Sequence, residues 1–175
     1  MVHASSQDEQ YRSAAAEFGR ALERLARGTE ADPEIRRDLL QDIHLALWRS
    51  FALFDGRCSL RTWVYRVAHN AAASHVLQRR RVKPEAQTDL EALEQQADAT
   101  DIEAEAGSRQ VLERLTQIIR RLKPPDAQVM LLYLEDLDAA AIAEITGLSA
   151  GSVATRVHRI KAYLAKRFSE GGRHG

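Results

Sequence analysis

The chain has 175 residues, enough for one medium domain or two small ones. Leu, Ala, Arg and Glu dominate and 45% of residues are hydrophobic, which favours a packed, all-helical protein. The formal net charge is zero, yet residues 82–108 hold eight acids against one base and the rest carries the opposite excess, so neutrality does not exclude a nucleic-acid partner.

Cys58 is the only cysteine, which excludes a disulfide framework and a CxxC metal site. The six histidines are scattered without ligand spacing, so no metal or other cofactor is expected. No apolar run reaches the length of a membrane span and the N-terminus lacks an apolar signal core. The expected location is the cytoplasm, with no membrane insertion.

Residues 1–8 are polar and are expected to be disordered. A first helix is predicted over 9–27, with Phe18, Leu22 and Leu25 on one face. Gly28 and the stretch through Asp32-Pro33 break it, and Asp32 then caps a second helix over 33–51 with Pro33 in its first turn. Ile35, Leu39, Leu40, Ile43, Leu47 and Trp48 form its core stripe, with Asp38, Gln41, Asp42 and Leu45 on the flank. Residues 51–57 read as a turn. A third helix begins near Ser59, runs to Arg81 and is closed by Pro84.

The acidic segment 83–107 has weak periodicity, with Leu90, Leu93 and Ile102 as its large apolar residues, and reads as a linker with room for one helical turn. Beyond it, Val111, Leu112, Leu115, Ile118, Ile119 and Leu122 make the stripe of a helix over 108–122 that Lys123-Pro124-Pro125 ends. Asp126 is expected to cap a helix over 127–134. Another runs from Asp136 through Ile142 and Ile145 to Gly147. Ser149 caps the last, 150–168, and 170–175 is an expected disordered tail. The prediction is an all-α protein: helical domains at 9–82 and 108–169 joined by a flexible acidic linker.

Two stretches contain no acidic residue. Residues 57–83 hold six arginines and one lysine, with Trp63 and Tyr65 among them. Positive charge with aromatic faces suits an unpaired strand, and Asn70, further along the same helix, can read a base edge. Core aromatics and a dipole-matched basic helix end at Arg79-Arg80-Arg81 are the plainer alternatives, and for Trp63 both stay open.

The second stretch, 145–169, has the pattern of a helix-turn-helix. Ala143 allows close crossing and Gly147 supplies the turn. Leu148, Val153, Val157 and Ile160 point to the core, leaving Ser152, Thr155, Arg156 and Arg159 outward toward a major groove. The alternative is a packed hairpin with a solvated basic face. Together the two stretches predict a protein that opens DNA as well as binds it. No Gly-rich phosphate loop and no Ser/His/Asp arrangement is present, so no catalytic residue and no small-molecule substrate are expected.

The run from Asp38-Leu-Leu-Gln41-Asp42 to Trp48, then Phe54, then Ser59-Leu-Arg-Thr-Trp63-Val-Tyr65-Arg66 to Asn70 and the Arg-rich end, resembles region 2 of extracytoplasmic-function sigma factors. The run from Leu122 through Pro124, Leu131, Tyr133 and the helix-turn-helix resembles their region 4, and the likeness spans about residues 11–168. The resemblance implies a factor that binds core RNA polymerase and recognises a bipartite promoter, melting it by trapping unstacked bases without nucleotide hydrolysis. Asp38, Gln41 and Asp42 would dock on the polymerase clamp coiled coil, with a further contact to the flap. Arg61, Trp63, Tyr65, Arg66, Asn70, Arg79, Arg80 and Arg81 would hold the melted minus-10 element, Asn70 against a flipped base. Ser149, Gly151, Ser152, Thr155, Arg156, His158 and Arg159 would read the minus-35 duplex. An anti-sigma partner covering the docking faces is also implied.

Some positions depart from the family pattern. Arg37-Asp38 stands where an acidic pair is usual, Ser74-His75 where an acid often follows, and Ala154 where a cation often meets DNA. The main rival is a duplex-binding regulator that uses the helix-turn-helix alone, for which the aromatic-basic helix would be superfluous. An RNA-binding adaptor lacks any matching signature. The acidic linker set against a basic body also predicts a screening contact between them.

Overall fold

A computed structural model describes residues 2–83, 88–95 and 107–170. Eight helices and no strand occur among them: α1 Val2–Thr29, α2 Pro33–Ser50, α3 Leu60–Val82, α4 Leu90–Gln95, α5 Ser108–Arg121, α6 Pro124–Tyr133, α7 Ala139–Thr146 and α8 Ala150–Glu170. The all-α expectation holds. Helices α1, α2 and α3 belong to the first of two compact units, and α4, α5, α6 and α8 to the second.

In the first unit, local chemistry sets the helix starts. The Asp32 carboxylate accepts from the Glu34 and Ile35 backbone N–H groups at 2.9 and 3.3 Å, and Pro33 occupies the first turn, where its missing N–H costs nothing. The Ser59 hydroxyl caps α3 by accepting from Thr62 N–H at 3.1 Å. Phe18, Leu22 and Leu25 from α1 meet Leu39, Ile43 and Leu47 from α2 and Val64, Tyr65 and Ala68 from α3, all buried. Each large aliphatic so buried contributes roughly 1.5–3 kcal/mol.

The N-terminus differs from expectation. Residues 2–8 continue α1 instead of being disordered. The physical reason is tertiary: the Trp48 indole N–H donates to Asp8 Oδ1 at 2.8 Å, and Gln7 Nε2 donates to the Trp48 carbonyl at 2.8 Å.

In the second unit, Ile118, Ile119, Leu122, Met130, Ile160, Tyr163 and Leu164 form one core, and Leu90 and Leu93 of α4 are buried in it. The acidic segment is therefore more than a tether over 88–95; residues 84–87 and 96–106, with Ile102, lie outside the described residues, as does the tail from 171. Helix α6 begins at Pro124 rather than after the proline pair. Both prolines fall in the first turn, whose N–H groups need no helical partner. Asp126 accordingly sits inside α6 and is not its N-cap. Leu112, expected in the stripe of α5, is 62% exposed.

Candidate nucleic-acid interface

On α2, Leu39, Ile43 and Leu47 face the core, so the helical period turns Asp38, Gln41 and Asp42 outward, and all three are exposed. Arg37 is exposed beside them. Leu45 and Trp48 extend the same face at 44% and 38% exposure. Trp48 was expected in the core. Its place in an acidic and apolar stripe was missed, because periodicity gives the centre of a buried arc but not its width.

Helix α3 presents Arg61, Asn70 and Arg81 fully and Arg66, Arg79 and Arg80 partly. Tyr65 departs from the expected role as a base platform: it is 4% exposed. Its ring lies edge-on to Phe18 with centroids 6.0 Å apart, and the Arg61 guanidinium lies 5.8 Å from its centre. Trp63 is half-buried. Its indole N–H donates to Ser50 Oγ at 2.9 Å and its ring packs on Phe54 at 5.2 Å, leaving only part of it open. His69, next to Asn70, is buried, and burial pushes its pKa down to about 3, so it stays neutral.

The arginine-rich end of α3 is anchored at one point. Buried Glu30 receives Arg79 Nε at 3.3 Å and lies 3.2 Å from His75 Nε2. Burial pulls the Glu30 pKa up, but the Asp32 backbone N–H, His75 and Arg79 together outweigh it and leave it lowered. Arg79 is thus partly committed within the fold. The loop before α3, expected as a turn over 51–57, exposes Leu53 at 77% and turns through Gly56 at φ 75°.

The second candidate face is the helix-turn-helix of α7 and α8. Asp138 Oδ1 accepts from Ala141 N–H at 2.8 Å to cap α7, and Ser149 Oγ accepts from Ser152 N–H at 3.1 Å to cap α8. Gly147 makes the turn with φ 78°. Val153 and Ile160 are buried as expected, while Leu148 and Val157 are half-buried. Ser149, Gly151, Thr155, His158 and Arg159 are exposed, and Ser152 and Arg156 partly so.

Both arginines on this face carry acidic partners. Arg156 Nη1 lies 2.5 Å from Asp126 Oδ1, with its Nε 3.4 Å from Ser152 Oγ. Arg159 pairs with Glu91 of α4, and this raises its pKa. His158, with Ala154 and Lys161, borders a groove of about 300 Å³ against Tyr133 and Leu137. Among the described residues no cluster of His, Cys, Asp or Glu could hold a metal, and no helix is long and apolar enough to cross a membrane.

The chain matches two family models: Sigma-70 region 2 over residues 15–82, and Sigma-70, region 4 over residues 112–164. RNA polymerase sigma factor YlaC of Bacillus subtilis is 33% identical over 140 residues, covering 78% of this chain and 79% of its own length. ECF RNA polymerase sigma factor SigM of Mycobacterium tuberculosis is 30% identical over 148 residues, covering 84% of this chain and 71% of its own. Among solved structures, CnrH in complex with the cytosolic domain of CnrY has the same fold, with a TM-score of 0.66, 22% identity and coverage of 94% of this chain and 90% of that one.

Proposed function

The chain belongs to the extracytoplasmic-function family of RNA polymerase sigma factors, and we propose that its three exposed faces divide that family's work among named residues. Asp38, Gln41 and Asp42, with apolar Leu45 and Trp48 beside them, dock on the clamp coiled coil of core RNA polymerase. Carboxylates pair with basic residues there, and the two apolar groups supply area that Arg37 in place of an acid does not.

Asn70 contacts an unpaired minus-10 base, while Arg61, Arg66, Arg80 and Arg81 hold the strand's phosphates. Tyr65 holds the helix in place from beneath. The α8 face of Ser149, Gly151, Ser152, Thr155, Arg156, His158 and Arg159 reads the minus-35 duplex, and the second unit meets the polymerase flap. The protein works in the cytoplasm as a non-catalytic binding protein, and melting is driven by binding energy. Control by an anti-sigma partner that covers the docking faces fits the fold, since CnrH was solved with the cytosolic domain of CnrY.

The observation that carries this reading is α3: Asn70 stands exposed on an acid-free, arginine-lined helix whose other side is core. A regulator that used only the helix-turn-helix would not need such a face. The test is co-purification with core RNA polymerase together with promoter opening. The Asp38→Ala/Asp42→Ala variant should lose association. Asn70→Ala should keep association and lose opening. Unchanged opening in Asn70→Ala would refute the role of α3, and unchanged association in the double variant would refute the docking face.

A further inference from the structure

Residues 88–95 are tied down along their whole length. Thr88 N–H donates to the Arg121 carbonyl at 2.9 Å. Leu90 and Leu93 are 3% and 2% exposed, packed into the core of the second unit. Arg167 donates to the Leu93 carbonyl at 2.9 Å, and Asp89 pairs with Lys123 Nζ at 2.6 Å. The apolar anchors orient the remaining face of α4 so that Glu91 meets Arg159 on α8. Glu94 adds its negative charge to the same guanidinium.

Arg159 belongs to the face assigned above to the minus-35 duplex. A guanidinium binds carboxylate and phosphate through the same planar N–H groups, so the Glu91 carboxylate at Arg159 Nη2 competes with a phosphate for that edge. We propose that residues 88–95 are an autoinhibitory strap, in which Glu91 occupies Arg159 and competes with DNA phosphate for it. The contact has two parts with different chemistry. Leu90 and Leu93 form an apolar anchor that salt does not weaken. Glu91–Arg159 is an exposed ionic gate that salt screens and that a polyanion displaces. Opening the gate therefore requires no loss of the anchor. The strap lowers the affinity of the free protein for DNA while keeping the acidic segment in register.

The inference rests on the reading of α8 as the duplex-binding face, and the test separates the two. The full chain, Glu91→Gln, Arg159→Gln and the double variant are titrated at low ionic strength with a short fluorescein-labelled duplex of mixed sequence. Non-specific phosphate binding supplies the signal, so no promoter sequence is needed. Glu91→Gln should tighten binding about two- to fivefold, the range expected for releasing one exposed ion pair. That gain should vanish when Arg159→Gln is present and shrink as salt rises. Equal tightening with and without Arg159 would reduce the effect to net charge and overturn the strap. Arg159→Gln weakening the complex while Glu91→Gln changes nothing would overturn the strap and leave the α8 reading standing. Arg159→Gln without effect in the Glu91→Gln background would overturn both.

Discussion

Replacing Tyr65 by Ala separates a core role from a base-stacking role. The ring is 4% exposed and packs edge-on against Phe18, with His69 tilted against it at 6.4 Å. Removing an aromatic ring from such a site costs about 3–5 kcal/mol, including the cavity it leaves. A unit of this size has only about 5–15 kcal/mol in total, so the loss is a large fraction. The thermal midpoint should fall by roughly 12 °C or more. Both tryptophans of the chain, Trp48 and Trp63, lie in the first unit, so selectively excited tryptophan fluorescence during urea or thermal unfolding reports on that unit. Tyr65→Phe keeps the ring and should cost at most about 1.5 kcal/mol. If Tyr65→Ala unfolds at the midpoint of the parent chain yet loses minus-10 capture, the ring is a surface platform and the packing argument is wrong.

Acid should destabilise the first unit in two windows. His69 has a folded pKa of about 3 against 6.5 when free, so the unfolded chain takes up a proton that the folded one refuses. Between pH 6.5 and about 3, stability should fall by about 1.4 kcal/mol for each pH unit, and His44, also lowered by burial, acts in the same direction. Glu30 is held below 4.5, so its contribution is present above that value and is lost only as pH falls through its lower folded pKa. Urea midpoints by tryptophan fluorescence that stay flat between pH 7 and about pH 5 would contradict a neutral, buried His69. Gly147→Ala should cost roughly 1–2 kcal/mol through backbone strain alone, since φ is 78° and an added Cβ meets nothing within 4 Å. Far-UV circular dichroism checks it, and an unchanged melt would mean that the turn tolerates a side chain.

Much of the fold was legible because it depends on local spacing. The Leu39, Ile43 and Leu47 stripe, the caps at Asp32, Ser59 and Ser149 and the turn at Gly147 all follow from periods and side-chain reach within a few residues. What was not legible depends on partners distant in sequence. Asp8 and Trp48 extend α1 across a separation that no window covers. Tyr65 and Asn70 sit on one basic helix, but only the position of Phe18 decides which is buried. Arg156 and Arg159 read as outward cations and the acidic segment as a screen, but the individual partners, Asp126 and Glu91, lie in other elements and no local pattern names them. The sign of a charge is visible in a sequence, whereas its neutralisation is a property of packing.

The strap and the face it covers belong to one chain. A partner within the same chain acts at an effective concentration on the order of millimolar. A separate acidic peptide with the same leucines and glutamates would have to be supplied at that level to displace it. Duplex DNA meets no such threshold, because it brings many phosphates at once and needs only one of them to take Arg159 from Glu91. The strap thus discriminates by valence: single anions are turned away and polyanions are admitted.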